Sequence, residues 1–169
     1  MKLVHQGSVV LAVLLFGTCA CAPSADRPVT PPEASDTVSE ASEGISAPAT
    51  YAEELVELTN EARGTEGLEP LKISECAESA ALGRAEALVD RELEHAPLKP
   101  VLVACEADSA AENLVDSDAP AHDVVDAWMS SPGHRNNIVD ARWSHLGVSC
   151  VQHSAELLCS QIFLAPSRD

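Results

Sequence analysis

Basic residues are scarce in this 169-residue chain: 10 Lys and Arg stand against 27 Asp and Glu, a formal net charge of −17. Residues 51 to 169 alone carry 22 acids and 8 Lys and Arg, a balance of −14. Nucleic-acid binding rests on Lys and Arg contacts with phosphates, so no nucleic-acid partner is expected. Adsorption to an anionic membrane or glycan is disfavoured for the same reason, and the charge reads as a solvated, solubilising surface. Two hydrolase signatures are missing as well. There is no Gly-x-Ser-x-Gly elbow to carry a serine nucleophile. There is no His-Glu-x-x-His run to hold the zinc of a metalloprotease. Among Cys76, Cys105, Cys150 and Cys159 no two have the Cys-x2–4-Cys spacing of a structural zinc site. The apolar run Val9 to Phe16 is too short to span a bilayer.

What that run does fit is an export signal over residues 1 to 21, with Lys2 and His5 before the apolar stretch. Cleavage after Ala22 would leave Pro23 as the first mature residue, a poor peptidase site. A lipoprotein site at Cys21, with Ala20 before it and Ala22-Pro23-Ser24 after it, fits better, so the membrane is expected to be met through a lipid anchor only. Cys19 and an unlipidated secreted form are the alternatives. Either way the expected location is extracytoplasmic. Residues 22 to 50 hold five Pro, many Ser and Ala, five acids and one Arg, with little to bury. They are expected to form a disordered tether.

Residues 51 to 169 suffice for one domain with a core of its own and not for two. Their four cysteines, in an exported chain, suggest two disulfides, for which three pairings exist. A turn at Ser154-Ala155 would set Cys150 opposite Cys159 on a hairpin. That leaves Cys76 with Cys105, closing a loop worth on the order of 3 kcal/mol.

Helical spacing of Leu55, Leu58 and Ala62 predicts a helix over 51–65, ended by Gly64 and Gly67. A second is predicted from Ser74 to about Leu93, with Ala77, Ala81, Ala85 and Leu88 on a closely packed face. Val101 to Cys105 reads as a short strand. Residues 120–129 suggest a third helix that buries Val124, Val125 and Trp128. A fourth opens at Ser131 and Pro132, with Ser131 as a side-chain N-cap and Pro132 at the first helical position. That places His134 in the first turn, where the positive helix end favours neutral imidazole, the form that ligates a metal or accepts a proton. Leu146 to Phe163 reads as two strands. The whole suggests an α+β fold.

Four blocks of sequence resemble the bacterial form of the CAP superfamily (cysteine-rich secretory proteins, antigen 5 and pathogenesis-related 1 proteins). They are Leu58 to Arg63 with Gly67 to Leu71; the small-residue helix leading to His95; Glu112-Asn113-Leu114; and Trp128 to Ile138 followed by Leu146-Gly147-Val148. The resemblance covers nearly all of residues 51–169. It implies a three-layer α-β-α sandwich with a small central antiparallel sheet, and a shallow cleft in which His95, Glu112 and His134 meet, rimmed by Asn113 and Ser131. Ser131 stands where eukaryotic members carry a further Glu, and Glu94-His95-Ala96-Pro97 lacks the Ser that commonly follows this His.

Two imidazoles and a carboxylate can form a first shell for zinc or another divalent cation with one position open for water. The bland alternatives are that His134 bonds Glu112 to fasten a helix to a loop, and that Glu112 accepts from backbone N–H groups. Arg135 and Asn137 are further polar candidates for the cleft rim, whereas His122, His145 and His153 read as incidental surface or turn residues. The expected function is an exported, lipid-anchored binding module for a small or lipid-like ligand or an envelope protein, acting as a monomer. The alternative is a hydrolase in which His95, Glu112 and His134 hold a metal or position a water as the catalytic group.

Overall fold

The computed structural model describes residues 46–167; the expected signal, the lipidation site at Cys21 or Cys19, and most of the expected tether lie outside these residues. Nine elements follow one another: α1 (Pro48–Thr65), β1 (Lys72–Ile73), α2 (Glu75–Leu88), α3 (Lys99–Ala104), β2 (Ala107–Ser117), α4 (Ala121–Ser130), α5 (Pro132–Ile138), β3 (His145–His153) and β4 (Glu156–Pro166). The four strands form one sheet in the order β1-β3-β4-β2. β2, β4 and β3 are antiparallel, whereas β1 pairs in parallel with only His145 and Leu146 of β3. The sheet is therefore mixed rather than purely antiparallel. No helix of the described residues is long and apolar enough to cross a membrane.

Helices cover both faces of the sheet. On one face Tyr51 and Leu55 of α1, Val124, Val125 and Trp128 of α4 and Ile138 of α5 pack on Leu146, Val148, Leu157 and Phe163. On the other face Ala77, Ala81 and Ala85 of α2 are fully buried against Ile162, Leu164, Leu114 and Leu158. Those alanines let α2 approach closely, and Gly147 completes the fit. A Cβ at Gly147 would overlap the backbone of Ala77 and Glu78.

α1 begins at Pro48, three residues inside the expected tether, with Pro in its first turn where the missing N–H is of no consequence. It ends at Thr65, and just beyond it Gly67, with a positive φ of 73°, lets the Leu68 N–H bond back to the Arg63 carbonyl. Arg63 itself is buried, donating to the carbonyls of Glu69, Ile138 and Asp140 and so tying the end of α1 to the end of α5.

Three expectations need correction. Val101 to Cys105 is not a strand: Lys99–Ala104 forms α3, started by Pro100 and pinned at Cys105 by the disulfide to Cys76. β-branched valines favoured strand, but only Val101 is buried there, so no sheet face was available to pair. The second helix stops at Leu88, because Val89 turns extended and Asp90 adopts a positive φ of 57°. Ser131 precedes α5 in extended conformation, but its hydroxyl caps nothing; only its carbonyl accepts, from the Arg135 N–H. The hairpin matches expectation: Ser154 and Ala155 form the turn, Cys150 pairs directly with Cys159, and both expected disulfides are present.

Candidate functional site

The long strand β2 carries the site, and no residue pattern announces its length. On it Glu112 and Asn113 point to opposite faces, as neighbouring strand residues must. Both are buried.

Glu112 faces α2. Its Oε1 accepts from Arg84 Nε at 2.8 Å and from Ser160 Oγ at 3.1 Å. Its Oε2 lies 2.9 Å from His95 Nδ1 and 3.4 Å from Arg84 Nη2. Ala81 and Ala85 seat α2 against the sheet, and Arg84, between them in sequence, comes within reach of the carboxylate with only 17 % of its side chain exposed. The guanidinium also bonds the Glu94 carbonyl, holding the segment that carries His95. His95 keeps more than half of its side chain in solvent, whereas that of Glu112 is 2 % exposed. Contrary to the simpler expectation, Glu112 accepts from side chains and not from backbone N–H groups.

Asn113 faces the opposite side. It sits in a buried chain of amides: Gln161 donates to Thr59 Oγ1 at 2.8 Å, Asn113 to Gln161 at 2.9 Å, and Asn137 to Asn113 at 2.9 Å. Asn137 also donates to the Glu112 carbonyl, so α5 is fastened to the outer edge of β2. Asn113 is therefore a structural link rather than an exposed rim group. Arg135, expected as a rim candidate, pairs instead with Glu66 at 2.7 Å.

His134 lies in the first turn of α5, its ring 6.4 Å from that of Trp128. Its pKa is lowered, first by desolvation and then by the nearby His95. The shift favours neutral imidazole, with burial its leading cause. No hydrogen bond joins His134 to Glu112; it is His95 that bonds the carboxylate. His134 sits on α5, whose Ile138 packs on the α1 and α4 face of the sheet, yet it lies close enough to His95 to feel its charge.

The small cleft at that edge, about 240 Å³, is lined by His95, Ala96, Leu98, Ala111, Glu112 and Asn137. Asn113, Ser131 and His134 do not line it. The donor set does not fit a divalent cation as arranged. A guanidinium already occupies the carboxylate, and the ligand atoms of His95, Glu112 and His134 do not all come within 4.8 Å of one another.

Two features escaped the sequence. One is Arg84, whose single signal is a cation beside a stripe of alanines at helical spacing. The other is His153. Its Nδ1 lies 2.7 Å from Asp116 Oδ2 and its Nε2 3.5 Å from Asp90 Oδ1, and Glu156 stands close by. Its pKa is raised, chiefly by the hydrogen bond to Asp116. It is not an incidental turn histidine. His122 and His145 are exposed or nearly so, bonded only to the adjacent Asp123 and Ser144.

The family described as CAP, the cysteine-rich secretory protein family, matches residues 56–163. The Bacillus subtilis protein YkwD is 31% identical over 130 residues, a match that covers 71% of this chain and 49% of YkwD. Among solved structures, a cysteine-rich secretory protein from Staphylococcus aureus superposes with a TM-score of 0.61 at 23% identity, over 70% of this chain and 39% of that one. An extracellular SCP-domain protein of Bacillus anthracis gives 0.61 at 20% identity, over 69% and 41%. An outer surface protein of Borrelia burgdorferi gives 0.61 at 17%, over 70% and 94%. The chain thus spans about half the length of YkwD and less of the first two structures. These structures show the fold alone.

Proposed function

Because the chain belongs to the CAP family of cysteine-rich secretory proteins, we propose that it acts outside the cytoplasm as a binding module rather than as a hydrolase. One observation carries this reading: both oxygens of Glu112 are engaged, by Arg84, Ser160 and His95. A carboxylate held by a guanidinium is a poor general base, and a base must be free to reach the proton it takes. His95 and Asn137 remain as polar contacts for a small ligand or a protein partner in the cleft at the outer edge of β2, with His134 near His95 but outside the lining. No step is assigned to a metal. The experiment compares the protein with its His134→Ala variant on peptide and ester substrates and in ligand-transfer assays. Ligand transfer without turnover is the expected result. Turnover abolished by His134→Ala, with the fold intact, would replace the binding reading by the hydrolytic one.

Extracytoplasmic placement is supported by the signal-like residues 1–21 and by the relatives described as extracellular or outer-surface proteins. Lipid attachment at Cys21 is part of the proposal. Globomycin should block maturation if it occurs, and normal processing would leave a freely secreted protein. A zinc titration settles the cofactor: the isotherm should not depend on His95, and a site lost in His95→Ala would restore the metal.

A further inference from the structure

The sheet has a second open edge. β1 accompanies β3 for two residues only, ending where the Ser74 N–H bonds the Leu146 carbonyl and the chain enters α2. Beyond that point β3 continues to His153 with β4 on one side and, among the described residues, no strand on the other. A groove of about 680 Å³ runs along this edge. Its lining includes Val148 to Cys150 of β3, Ala52 and Val56 of α1, Leu82 of α2 and Ile73. Ile73 and Leu82 are two of the four large hydrophobic side chains left exposed among the described residues. Three carboxylates, Glu53, Glu57 and Glu78, line the same groove, and no Lys or Arg does.

Charge selects the occupant. A second copy of this chain, at −17, and the chain's own segment 22–45, with five acids and one Arg, carry the same net sign as the groove and so match it less well than a cation does. The three carboxylates equally disfavour the headgroup of a fatty acid or an anionic lipid. An unpaired strand edge supplies backbone donors and acceptors that an extended peptide can complete, with alternate side chains turned into the groove.

We propose that this groove docks an extended cationic peptide segment of a partner protein, which adds to the free edge of β3 and sets Lys or Arg against Glu53, Glu57 and Glu78. It rests on the reading of the domain as a binding module, but at the edge opposite the His95–Glu112 cleft. The two tests read different residues, so either can fail alone.

The probe is a fluorescein-labelled, end-capped heptapeptide of alternating Lys and Val, titrated by anisotropy against the full chain. Saturable binding is expected, weakened about fivefold by Glu53→Gln with Glu57→Gln, since each exposed ion pair contributes little alone. N-methylation of alternate peptide amides should abolish binding, because it removes the donors that a strand edge needs. Equal binding of the N-methylated peptide would reduce the site to unspecific charge attraction and overturn the proposal. So would absence of binding, displacement of the probe by oleate (a lipid site), displacement by a synthetic peptide of residues 22–45 (the chain's own segment), or a dimer that the probe dissociates.

Discussion

Arg84 Nε stands 2.8 Å from Glu112 Oε1, and this pair joins the helix on one face of the sheet to its outermost long strand. The carboxylate is almost fully enclosed, with 2 % of its side chain exposed, while Arg84 keeps 17 %. A buried ion pair contributes little relative to an apolar replacement of both partners, yet removal of one partner alone strands the other.

Arg84→Met should therefore destabilise the domain by about 3 kcal/mol in urea unfolding, and the double variant with Glu112→Leu should recover much of that loss. A single-variant loss of a few tenths of a kcal/mol would mean that Ser160 and His95 hold Glu112 unaided, and that Arg84 does not shape the cleft.

Much of this arrangement was legible from residues and some was not, for physical reasons. The alanine stripe Ala77-Ala81-Ala85 announced close packing, and the spacing of Cys150 and Cys159 about Ser154 announced the hairpin. β2 was hidden because its sequence, Ala107 to Ser117, alternates neither cleanly nor strongly: it mixes small, acidic and apolar residues, and its inward polar groups are satisfied by partners far along the chain. Glu112 bonds Arg84, Ser160 and His95, and Asn113 bonds Gln161; such pairings have no local signal. His95, Glu112 and His134 could be named by resemblance, but which of them touch depended on the parity of β2. That parity sends Glu112 to one face and Asn113 to the other.

Gly147→Ala tests the closeness of α2 and β3. The new methyl would meet the backbone of Ala77 and Glu78, which cannot rotate away as a side chain could. Overpacking of this kind destabilises by about 3 kcal/mol. Thermal unfolding gives the measurement, and it should be accompanied by loss of the Ser149 Oγ to Glu78 carbonyl bond, now 2.9 Å. A neutral substitution would show that α2 can lift from the sheet at little expense.

The histidines should titrate in opposite directions from the usual value of 6.5. His153 is held above it by Asp116 and then Asp90, so its contribution to stability is complete below the unfolded pKa and fades as pH rises through the folded one. His134 is held below it by desolvation and then His95; protonation opposes folding, and its contribution is lost as pH falls from the unfolded value through the folded one. Proton NMR of the two rings should show His153 titrating above His134. Asp116→Asn should bring His153 down without moving His134. An unmoved His153 would mean that Asp116 does not hold the ring in solution.

The two disulfides should differ in what they restrain. Cys76–Cys105 spans 29 residues and clamps α3 to the start of α2, whereas Cys150–Cys159 spans 9 and crosses strands already joined by a hydrogen-bonded ladder. Loop-closure entropy assigns about 3.5 kcal/mol to the longer link and about 2.5 kcal/mol to the shorter. Replacing both cysteines by Ala in each pair should therefore lower stability more for Cys76 and Cys105. It should also raise the denaturant m-value more, because a longer loop is released in the unfolded chain. Cys159 is fully buried, so its removal adds a packing loss that stability alone would confuse with the loss of the link. The m-value separates the two, since a small cavity in the folded state leaves it nearly unchanged. Equal m-values for the two double variants would show that the longer link does not restrain the unfolded chain, and would place its effect in the folded state.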